Sequence, residues 1–110
     1  MELRVDGKSV YAATGGRPYD PEKPAAVFVH GSGMDHSYWQ QQSRWFAWHG
    51  WSVLALDLPG HGRSDGPALA SLQEMAAWVS RVIEASEHEQ AVLIGHSMGA
   101  AIAMEAAAAR

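Results

Sequence analysis

Three short apolar runs, each closing on a glycine-bearing turn, constrain this chain more than any other feature. They are AAVFVHG (residues 25–31), WSVLALDLPG (51–60) and AVLIGHS (91–97). Apolar runs of this length without polar alternation suit strands buried on both faces. The helix-length segments between them supply the crossovers that a parallel sheet requires. Upstream, Leu3 and Val5 alternate with charged residues, and Val10 and Ala12 resume the alternation after Asp6-Gly7. An Asp-Gly connection of two residues favours a type I′ hairpin, so the first two strands are expected to pair antiparallel. The Gly- and Pro-rich stretch TGGRPYDPEKP (14–24) reads as a loop.

The connecting segments carry helical periodicity. Tyr38, Trp39, Trp45, Phe46 and Trp48 fall mostly on one helical face, with Gly50 placed for a C-terminal cap. Ser71-Leu72-Gln73-Glu74 has capping-box spacing. Leu72, Met75, Ala76, Val79, Val82 and Ile83 then form a stripe. From Met98 onward the chain is rich in alanine, a strong helix former. The expected order is therefore ββ-βα-βα-βα, an α/β architecture with an N-terminal antiparallel hairpin followed by three parallel strands with crossover helices.

Length and composition narrow the function. A chain of 110 residues suffices for one small domain. Its net charge of −4 leaves no basic patch for phosphates, so no nucleic-acid partner is expected. There is no cysteine, which removes disulfides and thiolate metal sites. The charged, alternating N-terminal stretch is neither a signal peptide nor a membrane span. No membrane partner is expected, and a cytoplasmic setting is. The six histidines show no ligand pairing on one helical face, so no metal is expected.

The chemistry concentrates at the ends of the three runs. Gly95-His96-Ser97-Met98-Gly99 fits G-x-S-x-G, weak alone but here preceded by a strand and followed by a helix. A serine on so sharp a turn lifts its hydroxyl clear of the sheet. Gly95 and Gly99 avoid collision with the neighbouring strand and helix. The Met98 N–H, at the start of the next helix, faces the place where an oxyanion would form. In His30-Gly31-Ser32-Gly33, Gly31 and Gly33 leave backbone N–H groups free, and the Ser32 N–H is the candidate second donor. His30 is expected to be structural, bonded to loop backbone. Asp57-Leu58-Pro59-Gly60 resembles the D-x-x-G of nucleotide-binding loops. The upstream Gly7-Lys8-Ser9, however, puts Glu2 where the first P-loop glycine belongs, and it sits in a hairpin turn. Asp57 and Arg63 are expected to shape their loop.

Taken in order, HGSG, DLPGHGRSDG and GHSMG resemble the α/β-hydrolase family, over most of the chain from Val27 onward. Small cofactor-free serine esterases, lactonases and carbon–carbon bond hydrolases are the most similar branch. The resemblance implies Ser97 as nucleophile, an oxyanion hole from the Ser32 and Met98 N–H groups, and acyl-enzyme chemistry on an ester, lactone or activated C–C bond of a small molecule. In that family an acid and a histidine follow the serine. After Ser97 the ionisable side chains are Glu105 and Arg110, and none is a histidine. No earlier histidine is expected to approach the serine. The chain is accordingly expected to be an incomplete α/β-hydrolase fold: residues 1–110 as the N-terminal portion of one domain, ending after the helix that follows the nucleophile elbow. It is expected to lack acid and base and to turn over little alone. The alternative is a non-catalytic half-domain that associates with a complementary chain or with itself through an exposed sheet edge.

Overall fold

The computed structural model describes residues 1–109. Strands β1 (Glu2–Val5) and β2 (Lys8–Ala13) lead to β3 (Ala25–Val29), then a 3-10 turn (His36–Trp39) running into α1 (Gln40–Ala47). β4 (Ser52–Leu56), α2 (Leu72–Ala85), β5 (Ala91–Gly95) and α3 (Met98–Ala109) follow. The five strands form one sheet in the order β1-β2-β4-β3-β5. β4, β3 and β5 are parallel, with Ala25 opposite both Ser52 and Ala91. β2 pairs antiparallel with β4, and β1 antiparallel with β2. This is the mixed sheet with hairpin and crossover helices that the sequence predicts, an open α/β-hydrolase core.

The local causes are visible. Asp6 and Gly7 both hold positive φ, 56° and 74°, as a type I′ turn demands. The Ser71 hydroxyl accepts the Glu74 N–H at 3.0 Å and caps α2. α2 buries Ala76, Trp78, Val79, Val82 and Ile83, against Val27, Val29, Leu54 and Leu56 on one face of the sheet. On the other face Ala26, Phe28, Val53 and Ala55 meet Trp39 and Ala47. Burying each large apolar side chain contributes roughly 1.5–3 kcal/mol, so these two layers dominate the stability.

One expectation needs correction. The aromatic residues of the first connection do not share a buried face. Trp39 is buried, but Trp45 and Trp48 are 55% and 51% exposed, and Tyr38 is exposed as well. The 3-10 turn before α1 shifts the helical phase, so only Trp39 and Phe46 reach Phe28. Trp45 stacks instead on His49, and Trp48 lies under the Arg17 guanidinium.

β3 and β4 are buried along their whole length. β5 is not: among the described residues it pairs with β3 alone, and Val92 is 47% exposed. Its outer edge carries unpaired strand polarity. Among the described residues no helix is long and apolar enough to cross a membrane.

Candidate active site

The C-terminal ends of β3, β4 and β5 bring three loops together. At the β5 exit, Ser97 takes φ +56°, a left-handed conformation that costs a non-glycine residue of order 1–3 kcal/mol. The chain must reverse there within two residues to begin α3, and Gly99 N–H already bonds His96 C=O at 2.9 Å. A Cβ on Gly99 would overlap Val29 C=O, and one on Gly95 would overlap the Gly99 carbonyl. That close approach of backbone to backbone is why both positions are glycine. Ser97 is exposed, and among the described residues its hydroxyl has no hydrogen-bond partner.

Gly31 faces this serine: a Cβ there would lie 3.5 Å from Ser97 Cβ and 3.2 Å from Met34 Sδ. Beyond it, the Ser32 and Met98 N–H groups make no hydrogen bond among the described residues, and Gly33 holds φ +73°. His96 turns away from Ser97 to stack on Tyr38, with centroids 4.6 Å apart.

His30 is wholly buried and bonded to backbone at both nitrogens. Nδ1 lies 2.7 Å from Gly31 C=O, and Nε2 accepts the Leu58 N–H at 3.1 Å. Those partners require the neutral Nδ1–H tautomer. Burial pushes the imidazole below its ordinary value, since charging it would need water that is excluded. His30 thus ties the β3 exit to the β4 exit.

The β4 exit is organised by Asp57, whose side chain is completely buried. Its carboxylate accepts His36 N–H at 2.7 Å, His36 Nδ1 at 3.0 and 3.1 Å, and Arg63 N–H at 2.8 Å. Its carbonyl accepts the Ser64 hydroxyl at 2.6 Å. Gly62 passes so close that any Cβ would overlap the carboxylate. The loop-shaping role read for Asp57 is visible in these bonds, and a second property accompanies it. A carboxylate on Nδ1, with Nε2 left free, is the polarity of an acid–base pair.

The expectation that the chain lacks acid and base, and is for that reason close to inactive alone, is therefore overturned by the His36–Asp57 pair. The pairing was missed because the two residues are 21 positions apart and join only when β3 and β4 lie side by side. A signal was present: both follow apolar runs that a parallel sheet makes neighbours. No hydrogen bond joins the pair to Ser97 among the described residues.

Asp35 completes a cluster with His36 and Asp57, their potential ligand atoms all within 4.8 Å of one another. No such grouping was expected. Its oxygens already hold protein hydrogens: Asp35 accepts the Ser37 hydroxyl and N–H, at 2.5 and 2.8 Å, which hold its carboxyl below the usual range.

One hollow lies away from these exits and another beside them. One of about 640 Å3 lies low between β5, α2 and α3, lined by Ile83, Leu93 and Met104, and contains none of the loop residues above. The other, of about 460 Å3, lies between the β2 exit and α1 and includes His36.

The fold, with strand exits carrying chemistry at one end of a parallel sheet, defines an α/β hydrolase architecture. Comparison with known proteins agrees. The model of the Alpha/beta hydrolase family matches residues 26–110, and the chain belongs to that family. It is 40% identical over 106 residues to the dihydrolipoyllysine-residue acetyltransferase component of the acetoin cleaving system of Cupriavidus necator, covering 94% of this chain and 26% of that protein. It is 39% identical over 77 residues to the (E)-2-((N-methylformamido)methylene)succinate hydrolase of Acinetobacter baylyi, covering 69% and 29%. A solved membrane phospholipase A, a bacterial virulence factor, superposes with TM-score 0.87 at 31% identity, covering 98% of this chain and 34% of that one. The chain thus spans about a quarter to a third of the length of these relatives.

Proposed function

We propose that Ser97 is the nucleophile of a cofactor-free serine hydrolase acting on an acyl carbonyl. The observation that carries this is the Ser97 backbone: a left-handed, exposed serine whose hydroxyl is unbonded among the described residues, held between β5 and α3 by glycines that admit no side chain. Strain at a residue whose hydroxyl forms no bond among the described residues is retained where that hydroxyl must project from the sheet. On this reading Ser97 Oγ bonds the acyl carbon while giving up its proton to a base. The carbonyl electrons move onto oxygen, and the resulting anion sits against the Ser32 and Met98 N–H groups. Collapse expels the leaving group and leaves an acyl-enzyme for water to cleave. Gly31 and Gly33 keep the first donor loop slim enough for a substrate to approach.

The names of the relatives support hydrolysis as the class, since one is a hydrolase and another a phospholipase. All five strands share one sheet, which supports reading residues 1–110 as belonging to a single domain of the family. The unpaired edge of β5 supports association with a complementary chain or a second copy.

The test is covalent. A fluorophosphonate probe, followed by peptide mapping, is expected to modify Ser97 and to leave Ser97→Ala unmodified. Modification elsewhere, or equal modification of the variant, would refute the assignment.

A further inference from the structure

A left-handed serine persists only where its surroundings hold the turn against relaxation. Gly95 and Gly99 permit the close approach at this turn, but they place no side chain against it. The residue just before the serine is held more firmly. His96 N–H bonds Val29 C=O at 3.2 Å, and His96 C=O accepts the Gly99 N–H at 2.9 Å. Its imidazole is exposed, yet lies flat on Tyr38, with ring centroids 4.6 Å apart at 19°.

Tyr38 in turn meets Trp39 edge-on, with centroids 5.0 Å apart at 89°, and Trp39 meets Phe28 at 5.2 Å. Phe28 and Trp39 are buried, so four rings run from the core out to the residue before Ser97. Tyr38 is also placed by the backbone that carries it. It belongs to the 3-10 turn, whose first residue, His36, is tied by its N–H to the buried Asp57 carboxylate. The turn is capped by Asp35, which accepts the Ser37 N–H at 2.8 Å. The Tyr38 hydroxyl makes no hydrogen bond among the described residues, so the ring face is what this side chain brings to His96.

We propose that Tyr38 is a positioning residue for Ser97. Its ring, carried by the 3-10 turn, clamps His96 and so keeps the β5–α3 turn in its strained conformation. Opening that turn must part the two rings, and a stacked pair weighs roughly two- to tenfold in such an equilibrium. The clamp is a property of the turn itself; only its catalytic consequence rests on Ser97 being the nucleophile.

The experiment is amide hydrogen exchange by NMR on the 110-residue chain, comparing wild type, Tyr38→Ala and Tyr38→Phe. In Tyr38→Ala the His96 and Gly99 N–H groups are expected to exchange roughly two- to tenfold faster, with the α2 amides unchanged. Tyr38→Phe keeps the ring and is expected to exchange as wild type does. Fluorophosphonate labelling of Ser97 should slow by a similar factor in the alanine variant alone. Unchanged exchange at His96 and Gly99 in Tyr38→Ala overturns the proposal. So does faster exchange that α2 shares or that Tyr38→Phe matches. A wild-type chain whose Ser97 stays unmodified by the probe refutes the nucleophile, and exchange then decides the clamp by itself.

Discussion

The exits of β4 and β5 flank β3 on either side and are built in opposite ways. At the β4 exit a buried carboxylate gathers donors from two loops, and Ser64, Arg63 and His36 are all held. At the β5 exit the serine is strained and exposed, and among the described residues its side chain bonds to nothing. The strands behave alike: SVLAL is sealed on both faces, whereas AVLIG lies at the sheet edge and is only partly covered. Hydrogen-bond saturation at one exit fixes a rigid frame. Against that frame the other can project a hydroxyl without support of its own.

The most severe way to break the comparison is Gly99→Ala. Its methyl would overlap the Val29 carbonyl, and backbone cannot yield as a side chain can. A loss of more than about 3 kcal/mol is expected in urea unfolding, a large fraction of the stability of a domain of this size. Asp57→Ala attacks the rigid exit instead. It orphans the His36 and Arg63 N–H groups and the His36 ring donor, and should cost about 3 kcal/mol by the same measurement.

Ser97→Gly should do the reverse. Removing the side chain relieves the left-handed strain, and a gain of up to about 1 kcal/mol is expected while probe labelling disappears. A substitution that abolishes labelling yet stabilises would separate the two exits cleanly. The smallest effect is the pH response of His30, which joins the β3 and β4 exits. Burial lowers its folded-state pKa below 6.5, so the unfolded chain binds the proton first as pH falls. Its contribution is therefore complete above about pH 6.5 and is lost progressively below it. The urea midpoint should fall between pH 7.5 and 5.5, and fall less in His30→Gln.

Much of the fold was legible because period and punctuation act locally. Asp6-Gly7, the Ser71 cap and the three apolar runs each have one favourable conformation within a few residues. The α1 face was misread for a related reason. Periodicity from Tyr38 to Trp48 presumes one continuous helix, and the 3-10 turn at His36–Trp39 changes the phase. Trp78, buried at 4% exposure, also escaped the α2 stripe, because a broad apolar neighbour widens the face a helix can bury. At the site, GHSMG marked the turn where the strained serine lies. Neither His36 nor Asp57 belongs to a short motif with the other, so their pairing left no mark in local spacing.

The sequence alone determined the class of architecture, the hairpin, the glycines at 95 and 99, and the position of a serine between strand and helix. Those follow from backbone sterics and side-chain period, which act over a few residues. Only the tertiary structure decided the strand order, and with it which loops meet. Placing β3 between β4 and β5 brought His36 onto Asp57, His30 onto Leu58 and Gly31 against Ser97. Such contacts depend on which strands share hydrogen bonds, a global balance of burial that no single segment encodes.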